Sequence, residues 1–366
     1  MKKRLLSIIF VTAMACTFAA CGEKEDDVEL VMPVVETIAE DEAESNPESE
    51  EYVKEDAPEG MYWSELSGLA IDESIKNQKP IAAMVDNEIK ALPHFGVNEA
   101  DIVYELMNST ANDRVTRFMV VYKDWGNIEQ LGSIRSTRPT NIPLASEYNA
   151  VLCHDGGPFY IDAYLAKDYA QHFSGIFSRV NNGKAREFTE YICEGDLDKA
   201  FSGSKYSTEY DQYYSGEHFT FSSPSRDLTL DSTMSATKID LAGPFKHNKS
   251  RLDYDESTGL YTYSEYGNVH VDGKTGEALT FKNVILQKCS YAQLDDHGYL
   301  VYNYLCSDWD GYYITNGKAI KIKWSKTTDT EPTRFYTEDG VDITLNAGKT
   351  YIAIVPDDHW DEMVIE

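Results

Sequence analysis

Arg135 and Arg138 stand three residues apart in the run Gly132-Ser133-Ile134-Arg135-Ser136-Thr137-Arg138-Pro139, the densest polar constellation of the chain. Small residues let a backbone approach a ligand closely, and two guanidinium groups offer planar forks that fit carboxylate or phosphate. Pro139 favours the first turn of a following helix, and a helix start is a ready anion site. The competing reading is internal neutralisation, with Arg135 and Arg138 paired to Asp86, Asp101 or Glu105. A second constellation, Cys153-His154-Asp155-Gly156-Gly157-Pro158, comes off a predicted strand and opens a predicted helix, where open α/β sheets hold their ligands. His154 and Asp155 are suited to acid, base or metal-ligand roles, and His154 equally to capping a turn.

A third set comprises Asp86 and Asn87 after the first predicted strand, Asp101 and Glu105 about the second, and Arg114 and Arg117 about the third. Alternation puts Asp101, Val103 and Glu105 on one strand face and Ile102 and Tyr104 on the other. Such a pair of carboxylates holds a cation or neutralises Arg117, and the salt bridge is the favoured reading. Arg135, Ser136, Arg138, His154, Asp155, Gly156, Gly157, Asp86, Asn87, Glu105 and Arg117 form the candidate ligand-binding set. No Gly-x-Ser-x-Gly elbow, Walker loop, His-Glu-x-x-His helix or EF-hand loop occurs, so no catalytic residue, cofactor or metal ion is assigned. Cys153, Cys193, Cys289 and Cys306 lack the C-x-x-C spacing of a zinc or redox site. Cys289 and Cys306 flank a turn at Asp295-Asp296-His297-Gly298, which leaves a cross-strand disulfide or two buried thiols open.

The elements that must position these groups are short apolar runs. Ile81 to Val85, Ile102 to Tyr104, Val115 to Tyr122 and Ala150 to Cys153 read as strands, with helices over Ile142 to Tyr148 and Phe159 to Asp168. Strands alternating with helices predict a mixed α/β sheet domain over residues 61–245. Ser202 to Ser235 has no clean period and reads as surface. From residue 246 to 366 the pattern changes to Leu260 to Tyr263, Val284 to Leu286, Tyr299 to Leu305, Ala319 to Trp324 and Tyr351 to Val355, punctuated by glycines. This predicts a mostly antiparallel β domain, and an α+β fold for the whole.

The N-terminus has another character. Met1-Lys2-Lys3-Arg4, the apolar run Leu5 to Met14 and Thr17-Phe18-Ala19-Ala20-Cys21 have the charged, apolar and small-residue order of a signal peptide over residues 1–20. Phe18-Ala19-Ala20-Cys21 resembles a bacterial lipobox, with Cys21 lipidated as the mature N-terminus. The two acyl chains implied by such a signal give stable anchoring, at roughly 0.8 kcal/mol per buried methylene. The run Leu5 to Met14 is too short to span a bilayer, which takes about 20 residues. Residues 21–60 are dense in Asp and Glu and predict a disordered acidic tether. With a net charge of −29 the chain lacks the basic face that nucleic acid requires.

Pro80-Ile81-Ala82-Ala83-Met84-Val85-Asp86-Asn87, Ala100 to Glu105, Thr116-Arg117-Phe118, Gly132 to Pro139 and His154 to Gly157 resemble, in order, the N-terminal motifs of the YerB-like bacterial lipoproteins, a domain of unknown function (family 3048) with separate N- and C-terminal parts. Val271-Asp272-Gly273, Lys282-Asn283-Val284, Lys323 to Lys326, Thr333 to Tyr336, Asp339-Gly340 and Leu345 to Gly348 are similar to its C-terminal signature. The chain departs from the family at Arg186-Glu187-Phe188-Thr189, where the pattern carries Pro-His-Asn-Leu-Tyr, so any site using that segment is altered here. The resemblance implies a lipid-anchored, extracytoplasmic protein on the cell membrane and brings no established activity. Two functional readings follow. One is a binding protein whose groove of arginines, His154 and glycines takes an anionic cell-wall component, small anion or partner. The other is an envelope hydrolase or phosphotransferase on phosphorylated or glycan material, with Asp86, Glu105 or Asp155 as base; its motif order is loosely similar to the LytR-CpsA-Psr phosphotransferases.

Overall fold

A computed structural model describes residues 55–366. Cys21, the leader and most of the acidic tether lie outside the described residues. The centre of the molecule is one mixed ten-stranded sheet. Its strands are β1 (Ile81–Asp86), β2 (Ile102–Met107), β3 (Thr116–Tyr122), β4 (Val151–His154), β5 (His172–Ser174), β6 (Asn283–Cys289), β7 (Cys306–Thr315), β8 (Lys318–Lys326), β9 (Arg334–Tyr336) and β10 (Thr350–Pro356). Their order is β9-β8-β7-β6-β10-β2-β3-β1-β4-β5. β10 runs parallel to both of its neighbours, β6 and β2. One sheet therefore passes without interruption through strands from before and after residue 245.

Largely apolar runs make the central strands β1, β2 and β10, which are buried at every position because both faces of the sheet are covered there. Ile81, Ala83 and Val85 of β1 and Phe118 and Val120 of β3 enter one core, while Ala82 and Met84 of β1 and Met119 and Val121 of β3 enter the other. Each large apolar side chain so buried contributes about 1.5 to 3 kcal/mol. The first core is closed by a second, antiparallel sheet that includes Lys238–Asp240, Arg251–Asp255 and Leu260–Glu265 and supplies Leu252, Tyr261 and Tyr263. The second core is closed by helix α1 (Asn141–Ser146), with Ile142, Leu144 and Ala145, and by Leu300, Tyr302 and Phe335.

Helix is scarcer than the alternating pattern predicts. Phe159 to Asp168 forms a 3-10 turn, Phe159–Ile161, and one α turn, Asp162–Leu165. Only Ile161 of these is buried and Phe159 is 71 % exposed, so no apolar stripe holds a longer helix together. The segment expected as surface between Ser202 and Ser235 contributes to the core after all. Phe219 and Phe221 are buried, Phe219 stacks on Phe335 at 6.2 Å, and Thr220–Phe221 pairs with Thr344–Leu345. Cys153, Cys193, Cys289 and Cys306 are free thiols. No helix among the described residues is long and apolar enough to cross a membrane.

Candidate functional site

The site lies at the end of the sheet where β1 and β2 finish and β3 begins. Asp86 and Arg117 are opposite each other in the β1–β3 register, which puts both side chains on one face. The Gly132–Pro139 run crosses this end as an extended segment. Arg135 N–H donates to Met84 O at 2.9 Å, Asp86 N–H to Ser133 O at 3.0 Å, Thr137 N–H to Gly156 O at 3.0 Å and Asp155 N–H to Arg135 O at 2.9 Å. The two sequence constellations are thus stitched together through main-chain bonds. The helix start expected after Pro139 does not contribute a site, because α1 is short and buried along its whole length.

An open cleft of about 880 Å³ forms here, with Asp86, Arg117, Arg135, Ser136, Arg138 and Gly157 among its lining. Arg135 Nε donates to Asp86 Oδ2 at 2.6 Å and its Nη2 to Glu187 Oε2 at 2.9 Å. Arg117 Nη2 is 3.5 Å from Asp86 Oδ1, and its Nη1 donates to Ser136 O at 2.8 Å and Ser136 Oγ at 3.1 Å. Arg138 Nη1 donates to the same Ser136 Oγ at 3.2 Å and to Thr137 O at 2.9 Å, and its Nε donates to Asn108 O at 3.2 Å. Its guanidinium lies 4.8 Å from the centre of the Tyr299 ring. Among the described residues no carboxylate pairs with Arg138. Burial and the neighbouring Arg117 cation bring its pKa down to about 9. Burial pushes the Asp86 carboxyl up, but the Arg117 and Arg135 cations outweigh this and hold it below the ordinary carboxylate range.

The other candidates lie elsewhere. Glu105 is opposite Phe118 rather than Arg117, so it projects from the other face, into the first core. There it takes hydrogen bonds from Thr116 Oγ1 at 2.6 Å, Ser250 Oγ at 2.7 Å, Tyr263 OH at 3.0 Å and Tyr351 OH at 2.5 Å. Burial raises it to about 7. The favoured Glu105–Arg117 salt bridge is therefore replaced by Asp86–Arg117. Asn87 alternates onto the same buried face, with Nδ2 donating to Thr116 Oγ1 at 3.0 Å. Asp101 accepts from Lys123 N–H at 2.8 Å. His154 is buried outside the cleft, with Nδ1 2.8 Å from Gly156 O and Nε2 3.1 Å from His172 Nδ1. Asp155 pairs with Arg179 at 2.8 Å. Gly157 lines the cleft where a Cβ would stand 2.4 Å from Ile161 Cδ1 and 3.1 Å from Thr137 O.

Sequence reasoning missed Asn108, Glu187, Phe188 and Tyr299, which complete the walls. Glu187 and Phe188 belong to the segment where the chain departs from the family pattern, so that departure falls on the cleft itself. The rim carries a left-handed run, Asn112 (φ 53°), Asp113 (φ 52°) and Arg114 (φ 63°), an arrangement costly for arginine. It is held by the two-pronged Arg114–Asp358 pair, at 2.9 and 3.2 Å.

Comparison with known proteins agrees with this architecture. A crystal structure of the YerB protein from Bacillus subtilis superposes with a TM-score of 0.70 at 22% sequence identity, covering 83% of this chain and 99% of that one. The Bacillus subtilis (strain 168) protein described as "Putative lipoprotein YerB" is 24% identical over 303 residues, 80% of this chain and 86% of its own length. Residues 66–207 match the N-terminal domain of the protein family of unknown function DUF3048, and residues 240–352 match its C-terminal domain. The chain belongs to the DUF3048 family.

Proposed function

We propose that the chain is a lipoprotein anchored through Cys21 on the extracytoplasmic face of the cell membrane, and that its cleft binds an anionic cell-envelope ligand bearing phosphate or carboxylate groups. The relative's description as a lipoprotein and the lipobox-like Phe18-Ala19-Ala20-Cys21 support the anchor. The observation that carries the binding reading is the crowding of Arg117 and Arg138 on a single hydroxyl, Ser136 Oγ, with no carboxylate among the described residues paired to Arg138. Partly desolvated cations that share a neutral acceptor are poised for an anion, since charge-assisted forked bonds are the strongest such groups form. Glu88 and Asp113 on the rim favour a ligand whose charge is concentrated at the tip that reaches the floor. Binding is preferred to turnover because Asp86 is committed to two arginines and Glu105 lies behind the sheet.

The test is thermal unfolding of the full chain with inorganic phosphate, glycerol phosphate and wall fragments, repeated on Arg138→Gln and Arg138→Ala. A ligand at about 100 times its Kd stabilises the fold by roughly 2.7 kcal/mol. A stabilisation in the parent that folded Arg138 variants lose supports the reading. No stabilisation by any anion, or an equal one in parent and variants, would sink it.

A further inference from the structure

Behind Asp86, between the two sheets, three potential metal ligands meet: His94, Glu265 and His270. One ligand atom from each lies within 4.8 Å of those of the other two. The residues are 0%, 2% and 4% exposed. His94 lies in the loop after β1, Glu265 ends the Leu260–Glu265 strand, and His270 follows the short strand Asn268–Val269 that pairs with that strand.

The hydrogen bonds around them fix where the protons sit. His94 Nε2 is 2.5 Å from Asp86 O, and a carbonyl can only accept, so this nitrogen carries the proton and Nδ1 keeps a bare lone pair. His94 Nδ1 is buried with no hydrogen-bond partner. His270 Nδ1 is 2.8 Å from Glu265 Oε1, while His270 Nε2 and Glu265 Oε2 are buried with no partner. The side-chain amides of Asn248 and Asn87 reach the Glu265 carboxylate, while Asn87 Oδ1 is itself buried and unpartnered. Among the described residues no lysine or arginine forms an ion pair with Glu265. The pocket is therefore crowded with lone pairs, those of His94 Nδ1, His270 Nε2 and Asn87 Oδ1 among them, and leaving buried acceptors unpaired is costly. One added proton can bridge one pair of these atoms and leaves the rest facing each other.

We propose that His94, through Nδ1, Glu265, through its carboxylate, and His270, through a ring nitrogen, bind a divalent transition-metal ion of the zinc class. Two imidazoles and a carboxylate are the donor set that such ions select over magnesium or calcium. The bond from His94 to the Asp86 carbonyl is the kind of outer contact that orients a ligating imidazole. It also places the ion directly behind the residue whose carboxylate holds Arg117 and Arg135, so the metal braces the cleft floor without facing the ligand.

Because the site is sealed, the ion enters as the chain folds. The full chain is unfolded in guanidinium with a chelator, then refolded with Zn2+ or Co2+ and desalted. Metal is measured by mass spectrometry, Co2+ coordination by visible absorption, and stability by thermal unfolding. One retained ion per chain, Co2+ bands of a nitrogen–oxygen site, and a higher Tm of the loaded form are expected. Glu265→Gln and His270→Gln lose the ion, whereas His172→Gln, outside the cluster, keeps it. Parent chain that refolds and retains neither ion overturns the proposal, as does retention undiminished in folded Glu265→Gln and His270→Gln. Should those variants not fold, the parent measurement alone decides.

Discussion

Replacing Lys326 by methionine tests how tightly the two family domains are joined. Lys326 and Glu147 are both fully buried, one on β8 and the other just after α1, with Nζ 2.6 Å from Oε2. The same oxygen accepts from Thr333 N at 3.1 Å and Thr333 Oγ1 at 2.7 Å, and Tyr104 OH donates to the other at 3.2 Å. Removing the ammonium strands a buried carboxylate, which costs about 3 to 5 kcal/mol. Set against the unfolding entropy of a body this size, roughly 0.6 kcal/mol per kelvin, this lowers Tm by about 5 to 8 °C. Urea denaturation of Lys326→Met, Glu147→Gln and the double variant gives the cycle, with the double variant less destabilised than the sum of the singles by about 1 to 3 kcal/mol. The pH dependence adds a second readout. Burial pushes the Glu147 carboxyl up, but Lys326 and the His218 contact outweigh this and bring it down to about 2. A depressed carboxyl contributes stability that is full above its ordinary range and lost as pH falls toward the folded value. The gap between parent and Lys326→Met should therefore be wide at pH 7 and shrink at pH 3. Single costs under about 1 kcal/mol, or additive singles, would refute the reasoning.

Three further outcomes follow. Gly298→Ala should cost about 1 to 3 kcal/mol and weaken anion binding, because Gly298 has φ +80° and its Cβ would stand 2.6 Å from Ala111 N on the cleft rim; an unchanged urea midpoint would contradict this. Cys153, fully buried with its thiol pushed far above the ordinary range, should resist thiol reagents until global unfolding, whereas half-buried Cys193 reacts earlier, as peptide mapping can show. His154, brought down to about 4 by burial, should stay neutral on NMR titration from pH 8 to 5. Its contribution to stability is present above the ordinary histidine value and lost as pH falls toward 4, so a midpoint near 6.5 would contradict the burial argument.

The central strands were legible because a strand covered on both faces is apolar along most of its length, as in Ile81 to Val85 and Phe118 to Tyr122. Local spacing likewise marked Arg135, Ser136 and Arg138. Alternation assigned Glu105 a face correctly relative to Ile102 and Tyr104, but which neighbour lies opposite is a matter of register, and register put Phe118 there. Tyr299 and Glu187 reach the cleft from distant segments and carry no local signal beyond the departure from the family pattern around Glu187. The trio of His94, Glu265 and His270 was invisible for the same reason, since no spacing motif joins His94 to the neighbouring Glu265 and His270, which it meets only through the packing of distant segments. The helix over Phe159 to Asp168 shows the reverse failure, where polar and apolar residues mix plausibly but Ile161 alone is fully buried and Phe159 stays exposed.

β10 bears on how the protein is made. This strand, Thr350–Pro356, lies near the end of the chain yet fills the slot between β6 and β2. A ribosome delivers the two half-sheets first, each with a bare hydrogen-bonding edge awaiting the same late strand. Until it arrives, β2 and β6 are open templates for pairing with another molecule. Long-range pairing of this kind is slow to form, so chains truncated before Thr350 should aggregate where the full chain stays dispersed, as sedimentation of the two would show.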